Sequence, residues 1–380
     1  MYLVSGVKGR KGGRSVKVAI LTLTGYDNYG NKLQNYASQE VLKSLGCKVE
    51  TIPVEPTSIR FKLKRLKNSI KGRFYSKNPN VNIEECNSHV KFNKFYSFSK
   101  QNIKMSRYKI NYKNINRLKK RLNQEYDFFV VGSDQVWNPH YYFTELFLLP
   151  FADKSKRVSF AASIAVDEIP NNKVKLFKER LNEMQSISIR EHKGAELVNK
   201  VSGREATVVL DPTLMLSKEK WLQVANTPNW VKNKKYILTY TLGQESSEFK
   251  SFISKLSKER DVEVINLLDK TNRLIYEIDP GGFISLINNA DLMVTDSFHG
   301  AVFSIIMKTP FVVFERKDSL VSMNSRIETL LTTFKMKQRL ISNIKSIDDV
   351  YNLNFTEAYE ILKVEQEKTL AYLKHALNRQ

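Results

Sequence analysis

A histidine that titrates near neutrality can take up or give a proton. His299 stands with Asp296 and Ser297 in ADLMVTDSFHGAVFSIIMKTPFVVF, Ala290 to Phe314. Leu292 to Thr295 and Phe311 to Phe314 are short apolar runs of the kind a parallel sheet covers on both faces. Between them Val302, Phe303, Ile305 and Ile306 mark the buried side of a short helix that stops at Lys308 to Pro310. The polar turn therefore sits at the carboxyl end of a strand and the amino end of a helix, where open α/β sheets bind ligands and free N–H groups attract anions. The alternative for His299 is a capping-region histidine bonded to the backbone, with Gly300 letting the turn close.

Two further groups share this placement. DFFVVG, Asp127 to Gly132, reads as a buried strand and runs into GSDQVWNP. Asp134 there can accept a proton or a hydroxyl hydrogen bond, and Trp137 can stack on a sugar ring. Ser133 and Asp134 as a plain turn, with Trp137 in the core, is the competing reading. In SIREH, Arg190 closes another strand, and its guanidinium fork suits two-point contact with a carboxylate or phosphate. His192 is better read as a surface histidine.

The elements that must position these groups alternate regularly. Lys17 to Leu23 is a nearly all-apolar strand, followed by the turn TGYDNYGN, a helix from about Lys32 to Leu45 and a strand from Lys48 to Ile52. The glycines of that turn do not make GxGxxG, so no dinucleotide fingerprint is present. Strand, helix, strand, helix, strand then follows from Arg157 to Leu210. DPTLMLSKEKWLQVANTPNWVKNKK reads as an interdomain connection, and a second sheet starts at Tyr236 to Thr241. Asp279 and Pro280 begin a helix leading to the His299 unit. The expected plan is a first Rossmann-like domain over 16–222 carrying a basic helical insertion at 54–120, and a second over 232–345. Terminal helices over 346–380 pack back on the first.

Composition excludes several classes. With 42% hydrophobic residues, 21 Phe and 17 Tyr the chain is not globally disordered, and no run approaches the apolar length of a membrane span. Residues 1–15 carry four basic groups without a long apolar core, so they are not expected to be a signal peptide; a leader or start-site extension fits better. Cys47 and Cys86 are too far apart for metal-ligand spacing and read as reduced thiols of a cytoplasmic protein; no metal site is expected. The net charge of +22 is concentrated: Arg60 to Arg121 holds nineteen Lys and Arg against Glu84 and Glu85, a local +17. Such a segment is available for peripheral contact with an anionic membrane surface or a phosphate-bearing acceptor; taken alone it would also suit a non-catalytic binder. That binding reading explains none of the strand-end motifs, so nucleic acid is not the expected partner.

TDSFHG before an apolar helix, GSDQVWNP at Gly132 to Pro139, and YGNKLQNYA at Tyr29 to Ala37 together resemble the polysaccharide pyruvyl transferase family, in the family's order and over most of the chain. The resemblance implies a GT-B-like architecture, two Rossmann-like domains facing a cleft. It also implies transfer of a pyruvyl group from phosphoenolpyruvate to two hydroxyls of a sugar, with a ketal and phosphate as products. The acceptor would be a glycan or lipid-linked glycan of the cell envelope or an exopolysaccharide, and no cofactor beyond the donor substrate is implied. His299 and Asp134 are then the expected catalytic residues, and Arg190, Ser297 and Gly300 the donor-binding ones. Asn28, Asn31, Gln34, Ser133 and Trp137 would line the acceptor side. One departure stands out: several family members have an arginine two residues before this histidine, where this chain has Ser297. A phosphate or carboxylate contact is then either missing or supplied elsewhere, by Arg316, Lys308 or Arg326. The departure also keeps open a GT-B-type glycosyltransferase using a nucleotide sugar.

Overall fold

The computed structural model describes residues 15–25, 28–55, 83–316 and 325–378. Two parallel sheets dominate. β1 (Lys17–Leu21), β2 (Lys48–Thr51), β3 (Phe128–Val131) and β4 (Arg157–Ser159) lie in the order β2-β1-β3-β4. β5 (Ser188–Ile189) and β6 (Thr207–Val208) extend the sheet, joined to β4 and its continuation by the bridges Val158↔Ser186 and Ala162↔Ile189. The second sheet comprises β7 (Tyr236–Tyr240), β8 (Glu263–Asn266), β9 (Leu292–Thr295) and β10 (Phe311–Val313), ordered β10-β9-β7-β8. Read from the other edge it is β8-β7-β9-β10, the same winding as β2-β1-β3-β4. In both sheets the order reverses beside the first strand, which creates a switch-point crevice at the strand ends. β3, β7 and β9 are buried along their whole length, as strands covered by helices on both faces must be.

The first helix begins at Tyr29, three residues before the periodicity suggests, because Asn28 caps it: the Asn28 side-chain Oδ1 accepts from the Asn31 N–H at 3.2 Å. Part of the basic insertion is helical, over Ile83–Asn102 and Ile115–Glu125. Lys62, Lys64, Arg65, Lys67, Lys71 and Arg73, residues 1–14 and the side chain of Cys86 lie outside the described residues. Cys47 is buried.

The seam between the sheets is aromatic. Tyr29 stacks on Phe283 with ring centroids 4.6 Å apart, meets Phe95 at 5.0 Å, and donates its hydroxyl to the Ile278 carbonyl at 3.0 Å. Buried Lys91, from the insertion helix, lies over the rings of both Tyr29 and Tyr276. The insertion thus packs on both halves. The last helix, Thr356–Ala376, returns to the first sheet, where Leu373, Ala376 and Leu377 join Val18, Ile20, Val158 and Phe160 in one apolar cluster. Thr369 also ties this helix to the first half: its hydroxyl oxygen accepts from the Leu210 N–H at 3.1 Å.

Candidate active site

The strand ends meet. β9 stops at Thr295, and Ser297 caps the helix Phe298–Met307, its hydroxyl oxygen accepting from the Gly300 N–H at 3.4 Å. His299 occupies the first turn and presses against the first turn of the helix Tyr29–Ser44. A β-carbon placed on Gly30 would lie 2.1 Å from its Nδ1, so only glycine admits the ring in this position. The neighbouring Phe298 ring faces Arg190, with 4.5 Å from guanidinium carbon to ring centroid. Both contacts join the two halves of the chain.

Around His299 the buried charges are tightly arranged. Arg190 Nη1 donates to Asp211 Oδ2 at 2.7 Å, and Nη2 donates to Asp134 Oδ1 at 2.9 Å. His299 Nε2 lies 3.9 Å from Asp211 Oδ1 and has no hydrogen-bond partner. A second guanidinium, Arg326, is buried beside them, and both its Nη atoms donate to the Gln135 amide oxygen at 2.9 Å while the Gln135 nitrogen faces the Tyr141 hydroxyl at 2.7 Å. The Nε atoms of Arg190 and Arg326 are also buried without partners.

Electrostatics sorts these groups into roles. Burial pushes the His299 pKa below its ordinary value, with Arg190 and Arg326 adding to the effect and the two aspartates opposing it. The imidazole at rest is neutral near pH 7. Burial would raise both aspartates, but neighbouring cations win: Asp134 is held below the usual carboxylate range, and Asp211 falls to about 2. The depression of Asp211 comes from the His299 imidazole, which gains charge in acid where Asp211 titrates, from Arg190, and from the Thr213 N–H and hydroxyl, which donate at 3.0 and 2.7 Å. Burial and the adjacent Arg190 lower Arg326 to about 10, which leaves it charged at neutrality. Burial raises Glu191, whose Oε1 accepts from the Ile164 N–H at 2.8 Å.

Several expected site residues take other parts. Trp137 is wholly buried and donates its indole N–H to the Phe147 carbonyl at 3.1 Å, so it packs the core and presents no face to a sugar. Gln34 and Ser133 are likewise fully buried. Gln34 donates to Thr22 Oγ1 at 2.7 Å and accepts from the Ser133 N–H at 3.1 Å; the Ser133 hydroxyl lies 2.7 Å from Asp211 Oδ2. These polar side chains satisfy one another and brace the cluster instead of meeting an acceptor. Asn28 serves as a cap, and Asn31, the residue after Gly30, stays partly exposed. Gly300 is needed for close packing, since a β-carbon there would lie 2.5 Å from Thr295 Oγ1. Asp134 joins the site but is a poor proton acceptor, being bound to Arg190. Its φ of 71° is rare for a side-chain-bearing residue and is held by Val136 and Ser163, whose N–H groups donate to its carbonyl at 2.7 and 3.0 Å.

Of the three cations considered in place of the missing arginine, Arg326 is the one inside the cluster. Arg316 pairs with Asp296 at 3.1 Å, and Lys308 lies at the far end of its helix over the Tyr359 ring. Sequence reasoning passed over Asp211 and Glu191. Asp211 follows the run Val208 to Leu210, so the strand-end argument that singles out Asp134 and Arg190 applied to it as well.

Comparisons with known proteins bear on the family and the fold. Residues 28–319 match the family model described as Polysaccharide pyruvyl transferase. Among solved structures, a glycosyltransferase from Rickettsia africae is similar with a TM-score of 0.51 at 12% identity, covering 97% of this chain and 100% of the other. A UDP-N-acetylglucosamine 2-epimerase from Rickettsia bellii is similar at 0.48 and 10% identity, covering 96% and 98%. The likeness is one of fold, GT-B-like as expected. No curated protein matches the chain.

Proposed function

Because this chain belongs to the polysaccharide pyruvyl transferase family, we propose that it forms a pyruvate ketal on a sugar, with phosphoenolpyruvate as donor and phosphate as product. The observation that carries this reading is a neutral, unpartnered His299 Nε2 beside two buried guanidinium groups. A donor bearing both carboxylate and phosphate needs cations and N–H groups; Arg326 and Arg190, with the first turn of the helix Phe298–Met307, supply them. Arg326 takes the role that the family's arginine has at the position of Ser297.

In the step envisaged, a sugar hydroxyl oxygen bonds to C2 of the donor while its proton passes to His299 Nε2 and on to C3, which becomes the methyl group. The C2–oxygen bond to phosphorus-bearing oxygen breaks and phosphate leaves with the electron pair. The second hydroxyl closes on C2, and its proton leaves with phosphate. Asp211, 3.9 Å from Nε2, stabilises the transient imidazolium. A positioned acid–base group of this kind contributes about 10²–10⁴-fold in rate. Asp134 acts by holding Arg190. The acceptor would be a glycan or lipid-linked glycan precursor handled on the cytoplasmic side, with the basic segment as a peripheral membrane contact; among the described residues no helix is long and apolar enough to cross a membrane.

The decisive experiment incubates the protein with phosphoenolpyruvate, and separately with UDP-sugars, over a panel of glycan acceptors, and weighs the products. A mass gain matching a pyruvate ketal, with phosphate released in equal amount, is expected. A gain of one hexose from a UDP-sugar would replace this reading with glycosyl transfer.

A further inference from the structure

A second concavity opens at the switch point of the second sheet, beyond the ends of β7, β9 and β10. It has a volume of about 140 Å³ and a floor formed by Phe249, Phe314 and Ile341. Phe249 and Phe314 pack edge to face with centroids 5.0 Å apart, which fixes that floor. It shares a wall with the catalytic turn, because Asp296 lines it and stands three residues before His299.

Its chemistry differs sharply from that around Arg190. Among the described residues four carboxylates line it, Glu245, Glu248, Asp296 and Glu315, against one cation, Arg316. Arg316 is already paired with Asp296, which also accepts from the Leu242 and Gly243 N–H groups at 2.7 Å each. A phosphate or diphosphate would meet net negative charge here. The volume is also well below the roughly 300–1,000 Å³ typical of sites for drug-sized ligands, so a nucleotide sugar does not fit it. A neutral ring with one apolar face and several hydroxyl donors does: the face lies on the Phe249–Phe314–Ile341 floor, and the hydroxyls donate to carboxylates such as Glu245, which already accepts from the Thr241 hydroxyl at 3.2 Å.

We infer that this cavity is the acceptor subsite and holds one uncharged hexopyranose residue of the glycan, while the anionic donor is held by Arg190 and Arg326. The inference rests on the ketal-forming reading above, and it moves the acceptor from the buried Gln34, Ser133 and Trp137 to the second sheet. The division by charge keeps donor and acceptor from exchanging places, since each site repels or fails to hold the other ligand.

The test uses a panel of methyl α- and β-hexopyranosides observed by saturation-transfer NMR, with phosphoenolpyruvate titrated separately by calorimetry. Ser342→Trp places a bulky ring at the exposed rim of the cavity without disturbing a core position, and Glu245→Gln removes one acceptor charge. At least one glycoside should bind the parent protein. That affinity should fall at least tenfold in Ser342→Trp and severalfold in Glu245→Gln, with phosphoenolpyruvate binding unchanged in both. Glycoside binding indifferent to both substitutions, or no glycoside binding to the parent, overturns the assignment. So does UDP binding that Ser342→Trp abolishes. Failure of the parent to bind phosphoenolpyruvate would instead sink the reading of the reaction, so the two failures are read from separate titrations.

Discussion

Substituting Gly30 by alanine adds a single methyl group to a residue with no chemistry of its own, and the structure specifies where that methyl lands. It would lie 2.1 Å from His299 Nδ1, 2.6 Å from Cε1 and 2.7 Å from Cγ. Ordinary contact between such atoms is about 3.5 Å, so the imidazole must retreat by more than about 1 Å. A displacement of that size at a reacting group is enough to lower turnover about 10²-fold. Stability should change less. Position 30 is helical, where alanine is favoured over glycine by about 1 kcal/mol, and this offsets part of the roughly 1–3 kcal/mol expected from overpacking. The assay is phosphate release from phosphoenolpyruvate with acceptor, alongside thermal unfolding and imidazole resonances of His299 followed against pH. Gly30→Ala should show the rate loss, a shifted His299 titration and a modest change in Tm, and adding Gly30→Ala to His299→Ala should cost no further activity. Parental turnover in Gly30→Ala with a folded protein would refute the claim that this packing sets the position of a catalytic histidine.

His299→Ala should abolish turnover while leaving the fold intact, because the ring lies at a seam and its Nε2 has no bond to lose; near-parental activity in a ketal-forming assay would make it structural. Arg190→Ala strands the carboxylates of Asp134 and Asp211, and breaking a buried pair of this kind is expected to destabilise by about 3–5 kcal/mol, read from urea unfolding. Arg190→Lys keeps the charge but cannot hold both aspartates, so it should be milder in stability yet weaken donor binding; unchanged donor affinity would assign the arginine to structure alone. For acid stability the sign follows from lowered folded-state pKa values. The unfolded His299 takes up protons below about 6.5 while the folded one resists, and unfolded aspartates take them up below about 3.9, so stability falls as pH drops through each range. Denaturation midpoints measured from pH 7 to 3 should decline in the parent, and His299→Ala should flatten the upper part of that decline; parallel curves would show that the histidine is not buried neutral. Trp137→Phe should reduce stability by about 1 kcal/mol through the lost bond to the Phe147 carbonyl, with acceptor affinity untouched.

The parts of this molecule visible in the sequence are those governed by local periodicity. Buried strands announce themselves as apolar runs, and a polar residue just after such a run falls at a sheet's carboxyl edge, which is what groups His299, Asp134 and Arg190. Orientation across the turn is a different matter. Trp137 and Gln34 share the strand-end or helix-start neighbourhood of the site, yet they point into the protein because their bonding partners, Phe147 and Thr22, lie there. Nothing in the spacing separates a side chain facing a cleft from one facing a core. The pairing of Arg190 with Asp134 spans 56 positions, and Arg326 reaches the cluster from still farther along the chain. Such contacts depend on how two sheets dock, which no short window contains. The Ser297 substitution drew attention to a missing cation, but only the docked structure selects Arg326 over Arg316 and Lys308.

The return of the final helix to the first sheet has a consequence for the newborn chain. Leu373, Ala376 and Leu377 cover Val18, Ile20 and Val158, so these strands leave the ribosome long before the residues that seal one face of their sheet are made. Translation at about 5–20 residues per second leaves that apolar surface exposed for roughly 9–37 s after the first half is complete. A nascent chain stalled before residue 356 should therefore remain open to chaperones and proteases along the face that this helix later covers, even though both sheets already exist.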